Sequence, residues 1–255
     1  MDDLEAVNLL GVDVCTLSVE SLMNFVSRTT LAGGKARAVY ANIYAINLAQ
    51  DLAWFRDFFN RSDVVYCDGF GVKWGARLLG LRIPYRYTPP DWIKLLAAEC
   101  ARQNFSLYLL GARPGVAKKV VVILKQQFPD LRIVGTHHGY FDKSPGSIEN
   151  ETVLKAINAT SPDILLVGLG MPLQEHWLME NWDRFEAKVA LPVGALFDYM
   201  AGELPRAPHW MTDHGLEWVG RLIVEPRRLW RRYLLGNPRF LWLVLKQRFG
   251  MPRIE

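Results

Sequence analysis

Residues 164–177 read ILLVGLGMPLQEHW, and this stretch sets the expectation for the fold. Its first part is an apolar run without a polar face, which is typical of a strand buried on both sides of a parallel sheet. The run ends in Gly168 and Gly170, and Pro172 then begins a helical pattern. A buried strand, a glycine loop and a helix in this order form one unit of an α/β fold.

The same alternation of strand and helix extends through most of the chain. Apolar runs predict strands at 37–41, 64–67, 106–110, 131–135, 164–168 and 189–193, and amphipathic stretches predict helices at 91–103, 115–128 and 172–182. This order predicts an open, mostly parallel sheet flanked by helices. In such sheets ligands bind beyond the carboxyl ends of the strands.

Composition is consistent with a packed core. Half of the 255 residues are apolar and 22% are charged, which suits one large domain or one domain with an appendage. Cys15, Cys67 and Cys100 are scattered and match no disulfide or metal-binding spacing, which indicates a reducing cytoplasm. The N-terminus has no apolar signal region, and no run approaches the roughly 18 apolar residues of a membrane span. If this protein meets a membrane, we expect it to lie on the surface.

The pattern changes after residue 203, where prolines precede a stretch rich in Arg, Trp and Leu. We therefore predict an α/β domain over 1–203 and a helical appendage over 204–255. Residues 206–255 contain ten Lys and Arg against four Asp and Glu, a net charge of +6, whereas the rest of the chain has a net charge of −2. The basic segment predicts an anionic partner, namely lipid, a diphosphate or nucleic acid.

Four of the nine tryptophans, Trp210, Trp218, Trp230 and Trp242, lie in this basic segment. Trp and Arg side chains together are typical of a membrane interface, so an anionic membrane surface is the favoured partner. The alternative is that the aromatic side chains pack on the body and the arginines are solvated. The sequence has no known nucleic-acid motif, and we expect no nucleic acid among the partners.

Three motifs fall where predicted strands end. Asp68 could act as a general base, although an aspartate at such a junction is more often a turn or helix-cap residue. The loop around Gly111 could bind phosphate at a helix N-terminus or be an ordinary turn. Gln174 lies in the first turn of its predicted helix, where its amide could reach a ligand. On local sequence alone, solvated side chains at Gln174 and Glu175 are favoured.

Two adjacent histidines, His137 and His138, follow another predicted strand. Adjacent side chains of an extended chain point to opposite sides, which disfavours joint binding of a metal. The sequence also contains no D-x-D, no H-E-x-x-H and no Cys/His cluster. We therefore expect no catalytic metal and no cofactor.

Together these motifs resemble the TagA/WecG/CpsF glycosyltransferase family (glycosyltransferase family 26), from about residue 39 to residue 245. No single piece is decisive, but their order and spacing are specific. The matching pieces are DGFGV at 68–72, LLG at 109–111, PGVA at 114–117, VGTHHGYF at 134–141, GLGMPLQE at 168–175, ALFD at 195–198, RAP at 206–208, LEW at 216–218, RL at 221–222 and EPRR at 225–228.

The resemblance implies a Rossmann-like α/β domain with a C-terminal helical appendage. It also implies an inverting, metal-independent hexosyltransferase. The donor would be a UDP-sugar, and the acceptor an undecaprenyl-diphosphate-linked sugar. The product would enter a cell-surface polysaccharide such as an exopolysaccharide. The enzyme would lie peripherally on the inner face of the bacterial cytoplasmic membrane, and relatives form homo-oligomers.

By the same resemblance, Asp68 is the general base, and Gln174 contacts the donor sugar or stabilises the reacting geometry. Tyr40 stands where relatives usually have Thr, and Pro89 replaces a glycine, so the donor could be glucose, mannose or a uronic acid rather than N-acetylmannosamine. The residues that the resemblance assigns to substrate binding are Asn42, Arg86, Gly111, Gly170, Asp198, Arg221, Arg228 and Arg231, the last three of which would close over the diphosphate.

Two other functions stay open at this point. A nucleotide-sugar epimerase or dehydrogenase on a Rossmann sheet is disfavoured, because no G-x-G-x-x-G loop follows the first strand and no Tyr-x-x-x-Lys pair is present. A non-catalytic peripheral membrane scaffold is disfavoured because Asp68, Gln174 and the arginines are all present.

Overall fold

A computed structural model describes residues 5–250, without the side chain of residue 209. It confirms the predicted α/β class, since helices flank a six-stranded parallel sheet and the described part of the chain ends in helices. Helix α13 (Gly236–Arg248) is the last of them. Within 5–250, none of the helices combines the length and the apolar character that crossing a membrane requires.

A small antiparallel hairpin comes first and was not predicted. Strands β1 (Ala6–Leu9) and β2 (Val12–Cys15) have four residues each, and Leu10 and Gly11 join them with positive φ angles of 54° and 83°. Two positive φ angles in a two-residue loop suit the right-handed twist of a hairpin. Four-residue strands give too short an alternation to be recognised in the sequence.

The main sheet has the strand order β4-β3-β8-β7-β5-β6. Strand β5 lies parallel to β7 on one side and to the edge strand β6 on the other. Every residue of β5 and β7 is buried, as predicted for strands that are covered on both faces. The strands are β3 (Ala36–Ala41), β4 (Val64–Cys67), β5 (Ser106–Gly111), β6 (Arg132–His137), β7 (Ile164–Gly168) and β8 (Val189–Pro192).

The three predicted helices are present with ends shifted by up to two residues. Pro226 begins a helix, and residues Arg231–Leu235 then form one π-helical turn that continues into α13. The other helices are α1 (Val19–Leu31), α2 (Ile43–Asp51), α3 (Ala53–Asn60), α4 (Phe70–Leu78), α5 (Pro89–Gln103), α6 (Val116–Gln127), α7 (Ile148–Thr160), α8 (Leu173–Asn181), α9 (Leu196–Met200), α10 (His209–Asp213), α11 (Glu217–Val224) and α12 (Pro226–Trp230).

The chain divides into two compact units. One unit comprises 19–39 and 89–204, and the other comprises 5–18, 40–88 and 205–250 of the described residues. The C-terminal segment therefore folds in the same unit as strand β4 and helices α2 to α4. The separate roles predicted for 1–203 and 204–255 stay a prediction.

Helix α13 is anchored within this second unit by packing against α2 and α4. Phe240 is only 4% exposed and lies against Gly75 of α4, where an added Cβ would come within 2.5 Å of the Phe240 ring. Arg239 forms two hydrogen bonds to Asp51 of α2, with lengths of 2.6 and 2.5 Å. This charge-assisted pair holds the pKa of Asp51 below its usual value. Apolar packing and an ion pair thus attach the chain's end to the helices beside β4.

We expect Phe240→Ala to lower the free energy of unfolding by about 3 kcal/mol, because it opens a cavity between α13 and α4. Trp242 on the same helix is 52% exposed, so Trp242→Ala should change stability by less than about 0.5 kcal/mol. Urea denaturation of both variants measures the two values. Equal losses would contradict the packing of α13 against α4.

Candidate active site

Asp68 directly follows β4 at the carboxyl end of the strand. Its backbone N–H donates to the carbonyl of Ala41 at the end of β3, with a length of 2.8 Å. Helix α4 begins at Phe70, with Gly69 at the cap position and no side-chain capping bond. The helix-cap role considered for Asp68 is therefore wrong. The residue as a whole is partly exposed, whereas its carboxyl group is shielded from solvent by protein atoms.

Asn42 orients the Asp68 carboxylate. The side-chain oxygen of Asn42 accepts a 3.0 Å hydrogen bond from the N–H of Ala45 and so caps helix α2. Its side-chain Nδ2 donates to Oδ2 of Asp68 at 3.2 Å. Because the cap fixes the rotamer of Asn42, the same side chain holds the carboxylate in one position. The structure thus brings together two of the predicted site residues.

The proton affinity of Asp68 is raised by its surroundings. Burial, together with the negative charge of Glu217, raises the pKa of Asp68 from 3.8 to about 7, against the opposing effects of Asn42, Arg232 and Arg86. A carboxylate with a pKa near neutrality is suited to accept a proton in a reaction at physiological pH.

Arg86 lies between aromatic and acidic groups. Its guanidinium stacks 4.8 Å from the ring centroid of Phe70, and its Nη1 lies 3.9 Å from Oε2 of Glu217. The next residue, Tyr87, donates its N–H to the carbonyl of Cys67 at 3.1 Å. Arg86 is therefore held beside the end of β4, close enough to Asp68 to favour its charged form.

Sequence reasoning missed Glu217 and Arg232, although both had a signal. Glu217 is the central residue of the Leu216–Trp218 motif. Arg232 and Arg228 are like charges spaced by four residues, and such a pair is unfavourable on a helix unless an anion lies nearby. Neither signal indicated that the charges of these side chains would influence the pKa of Asp68.

The three predicted arginines of the C-terminal segment have different surroundings. Arg221 of α11 is half-buried. Arg228 is exposed and hydrogen-bonds to Glu225, and Arg231 is exposed with its guanidinium 5.3 Å from the ring centroid of Trp230. Their assignment to diphosphate binding stays a prediction.

In the other unit, Gln174 and Glu175 are buried, with exposed fractions of 0% and 1%. The expectation of solvated side chains was therefore wrong. Nε2 of Gln174 donates a 2.8 Å hydrogen bond to Oε1 of Glu175. Oε1 of Gln174 accepts a 3.1 Å hydrogen bond from the N–H of Gly194. Local sequence could not indicate this burial, because the partner at Gly194 follows a different strand. The structure thus places Gln174 as a link between two loops that follow β7 and β8.

Two predicted site residues of this unit, Gly111 and Gly170, have backbone conformations that favour glycine. Gly111 has a φ of 147°, and an added Cβ would lie 2.3 Å from the carbonyl oxygen of Gly168, so a side chain is excluded there. Gly170 is also left-handed, with a φ of 79° and open space around it. Asp198 lies in α9, and its backbone carbonyl accepts from Glu203. Their role with a nucleotide stays a prediction.

The two adjacent histidines do not point to opposite sides. The rings of His137 and His138 are tilted against each other with centroids 4.5 Å apart. The predicted alternation fails because β6 ends at His137, so His138 is no longer in an extended strand. Nδ1 of His137 lies 2.8 Å from the backbone carbonyl oxygen of His138. Nδ1 of His138 accepts a 3.3 Å hydrogen bond from the N–H of Tyr140. Among residues 5–250, no three His, Cys, Asp or Glu side chains are grouped so as to hold a metal ion.

The structure thus combines a parallel α/β sheet with a carboxylate that Asn42 orients and whose pKa is raised by burial and Glu217. Residues 7–253 match the model of the family described as "Glycosyl transferase WecG/TagA/CpsF family", and the chain belongs to this family. It is therefore a glycosyltransferase.

Curated relatives carry a more specific name. The chain is 29% identical over 248 residues to the N-acetylglucosaminyldiphosphoundecaprenol N-acetyl-beta-D-mannosaminyltransferase of Staphylococcus aureus strain MRSA252. It has the same identity to the protein of that name from strain NCTC 8325 / PS 47. Each match covers 94% of this chain and 92% of the relative.

The raised pKa of Asp68 also affects stability. Between pH 3.8 and about 7 the folded protein keeps a proton that the unfolded chain has lost, so Asp68 makes stability fall as pH rises through this range. Asp68→Asn removes that charge. We expect the variant to melt a few degrees above the wild type at pH 8, with the difference shrinking towards pH 4.

Scanning calorimetry at several pH values measures this difference. Asp57→Asn, at an exposed position of α3, is the matched control and should change the melting temperature little. A wild type more stable than Asp68→Asn at pH 8 would show that the surroundings of Asp68 stabilise its charged form, which is the opposite of a raised pKa.

Proposed function

We propose that the protein transfers a sugar from a UDP-sugar to an undecaprenyl-diphosphate-linked sugar, with inversion and without a metal, in the synthesis of a cell-surface polysaccharide. The observation that carries this proposal is the Asp68 carboxylate, held by Asn42 and given a pKa of about 7. The names of the relatives support the lipid-linked acceptor, since their acceptor is N-acetylglucosaminyldiphosphoundecaprenol.

The chemistry requires one base and a stabilised leaving group. Asp68 accepts the proton of the acceptor hydroxyl as its oxygen forms a bond to the anomeric carbon of the donor sugar. The bond from that carbon to the β-phosphate oxygen breaks on the opposite face, and UDP leaves with the electron pair. Direct displacement of this kind inverts the anomeric centre.

The departing UDP builds up negative charge, which a metal-independent enzyme must stabilise with its own groups. We assign this role to Arg86, Arg221, Arg228 and Arg231, because guanidinium groups bind phosphate through paired hydrogen bonds. In the other unit, Gly111, Gly170 and Asp198 are proposed to bind the nucleotide, and Gln174 the donor sugar.

Two residues at which this chain departs from its relatives are proposed to influence which donor sugar it uses. Tyr40 is buried, with its ring 6.2 Å from that of Tyr66, so it directs a large aromatic group into the core where relatives usually have a small hydroxyl residue. Pro89 begins α5 and restricts the chain after Thr88. We therefore include glucose, mannose and a uronic acid beside N-acetylmannosamine as donors to be screened.

An assay of UDP release with several UDP-sugars and a short-chain polyprenyl-diphosphate-linked N-acetylglucosamine tests the proposal. We expect release that depends on the acceptor and survives EDTA. Asp68→Ala should lower kcat roughly 100-fold to 10,000-fold, because it removes the general base. Asp57→Ala should keep the wild-type rate. Turnover that requires NAD, or that survives in Asp68→Ala, would contradict the proposal.

We further propose that the protein attaches to the inner face of the bacterial cytoplasmic membrane through the C-terminal end of α13 and the neighbouring part of α4. Exposed aromatic side chains and arginines meet there around a groove of about 560 Å³. It is lined by Trp74, Arg77, Leu78, Leu245, Arg248 and Phe249. Apolar area with basic residues suits an anionic leaflet, where each basic residue near the surface contributes about 1 kcal/mol.

We expect Phe249→Glu to lower binding to vesicles that contain anionic lipid about tenfold, since it removes buried apolar area and adds a repelled charge. Co-sedimentation measures the bound fraction. The control is Ile148→Glu, at an 86% exposed position of the other unit, and it should bind as the wild type does. Equal losses in both variants would contradict the proposed surface.

A further inference from the structure

We propose that Lys143 is a positioning residue. Its ammonium holds the turn 138–141, which follows β6, so that the adjoining loop 111–112 keeps the shape in which it binds the donor nucleotide. This inference rests on the proposed function, in which Gly111 contributes to the nucleotide site. It adds a residue that lies just beyond the VGTHHGYF motif at 134–141 and that is not among the predicted site residues.

The loop after β5 has a backbone conformation that its surroundings must maintain. Ala112 has a φ of 56°, in the left-handed region that a residue with a side chain rarely adopts. Its N–H donates a 3.0 Å hydrogen bond to the carbonyl of Gly168 at the end of β7. Its carbonyl accepts a 2.8 Å hydrogen bond from the N–H of Gly139. Ala112 is thus held in this conformation by bonds to the segments that follow β7 and β6.

The turn after β6 fits closely against this loop. A Cβ added at Gly139 would lie 2.8 Å from Cδ2 of Leu169 and 3.3 Å from the backbone nitrogen of Ala112. It would also lie 3.3 Å from Cα of Gly111. Because a hydrogen bond and close packing both join Gly139 to the loop, a change in the turn also changes the loop.

Lys143 fixes the shape of the turn from within. Its Nζ donates a 2.7 Å hydrogen bond to the carbonyl of Gly139 and a 3.0 Å hydrogen bond to the carbonyl of Phe141. The same Nζ lies 4.5 Å from the ring centroid of Phe141. Burial lowers the pKa of Lys143 below its usual value, although the charges of Asp142 and Glu149 oppose this effect.

Gly139 connects the ammonium to the nucleotide loop. Its carbonyl binds Lys143, and its N–H binds Ala112. Loss of the ammonium leaves the turn without two of its hydrogen bonds, and the displaced turn no longer supports the left-handed Ala112. Preorganised loops bind their ligands more tightly, because less ordering is required on binding.

Stabilisation of the turn alone would be the structural explanation of Lys143. That role predicts a lower melting temperature, with the affinity for UDP and the protection of the Ala112 amide unchanged. A positioning role predicts that both the affinity and the protection decrease, because the effect reaches the loop after β5.

The experiment uses the full chain with Lys143→Met, Lys143→Arg and, as the control, Lys155→Met at an exposed position of α7 in the same unit. Amide hydrogen exchange followed by NMR reports on Gly139 and Ala112, and calorimetric titration measures the affinity for UDP. Melting temperatures show that each variant is folded under the conditions of the titration.

We expect both amides to exchange about tenfold faster in Lys143→Met and the affinity for UDP to fall about fivefold. Lys143→Arg keeps the charge and the donors and should restore part of both, while Lys155→Met should match the wild type. In the transferase assay, Lys143→Met should raise KM for the donor and leave KM for the acceptor unchanged.

An affinity for UDP within twofold of the wild type in Lys143→Met would overturn the proposal. An unchanged exchange rate at Ala112 would do the same, even if Gly139 exchanged faster. If Lys143→Met weakens UDP binding as expected but the wild type transfers no sugar, the proposed function fails while the positioning role stands. If the wild type transfers sugar and Lys143→Met binds UDP equally well, the positioning role fails while the proposed function stands.

Discussion

The proposed chemistry depends on a carboxylate kept in a poorly solvated position between opposite charges. Asp68 sits at the end of β4 because its backbone continues the pairing with β3, and its side chain is fixed by Asn42. Burial and Glu217 oppose ionisation, whereas Arg86 and Arg232 favour it. The balance raises the pKa to about 7, where a carboxylate can both lose and gain a proton under physiological conditions.

Two of these charges come from the C-terminal segment. Helix α11 provides Glu217 and the π-helical turn provides Arg232, and both fold in the same compact unit as β4. Phe240 and Arg239 of α13 attach the same C-terminal segment to the helices beside β4.

The sequence predicted the strands that are unbroken apolar runs. Strands β4 and β7 have the predicted bounds, because each is a buried run that ends at polar or glycine residues. The hairpin β1–β2 was missed because its four-residue strands each contain a polar residue, whereas β4, which is equally short, is an unbroken apolar run. Asp68, Asn42 and Arg86 were predicted by resemblance and lie together, whereas the burial of Gln174 and the proximity of Glu217 and Arg232 depend on contacts between residues far apart in sequence. Local patterns carry no information on such contacts.

The most direct test is titration of the Asp68 carboxyl itself, by carbon-13 NMR of protein labelled at aspartate, with Asp68→Asn used to assign the signal. Burial beside Glu217 predicts a carboxyl resonance that titrates near pH 7 in the wild type and is missing from the variant. An Asp68 resonance that titrates near pH 4, as an ordinary aspartate does, would contradict a raised proton affinity at this site.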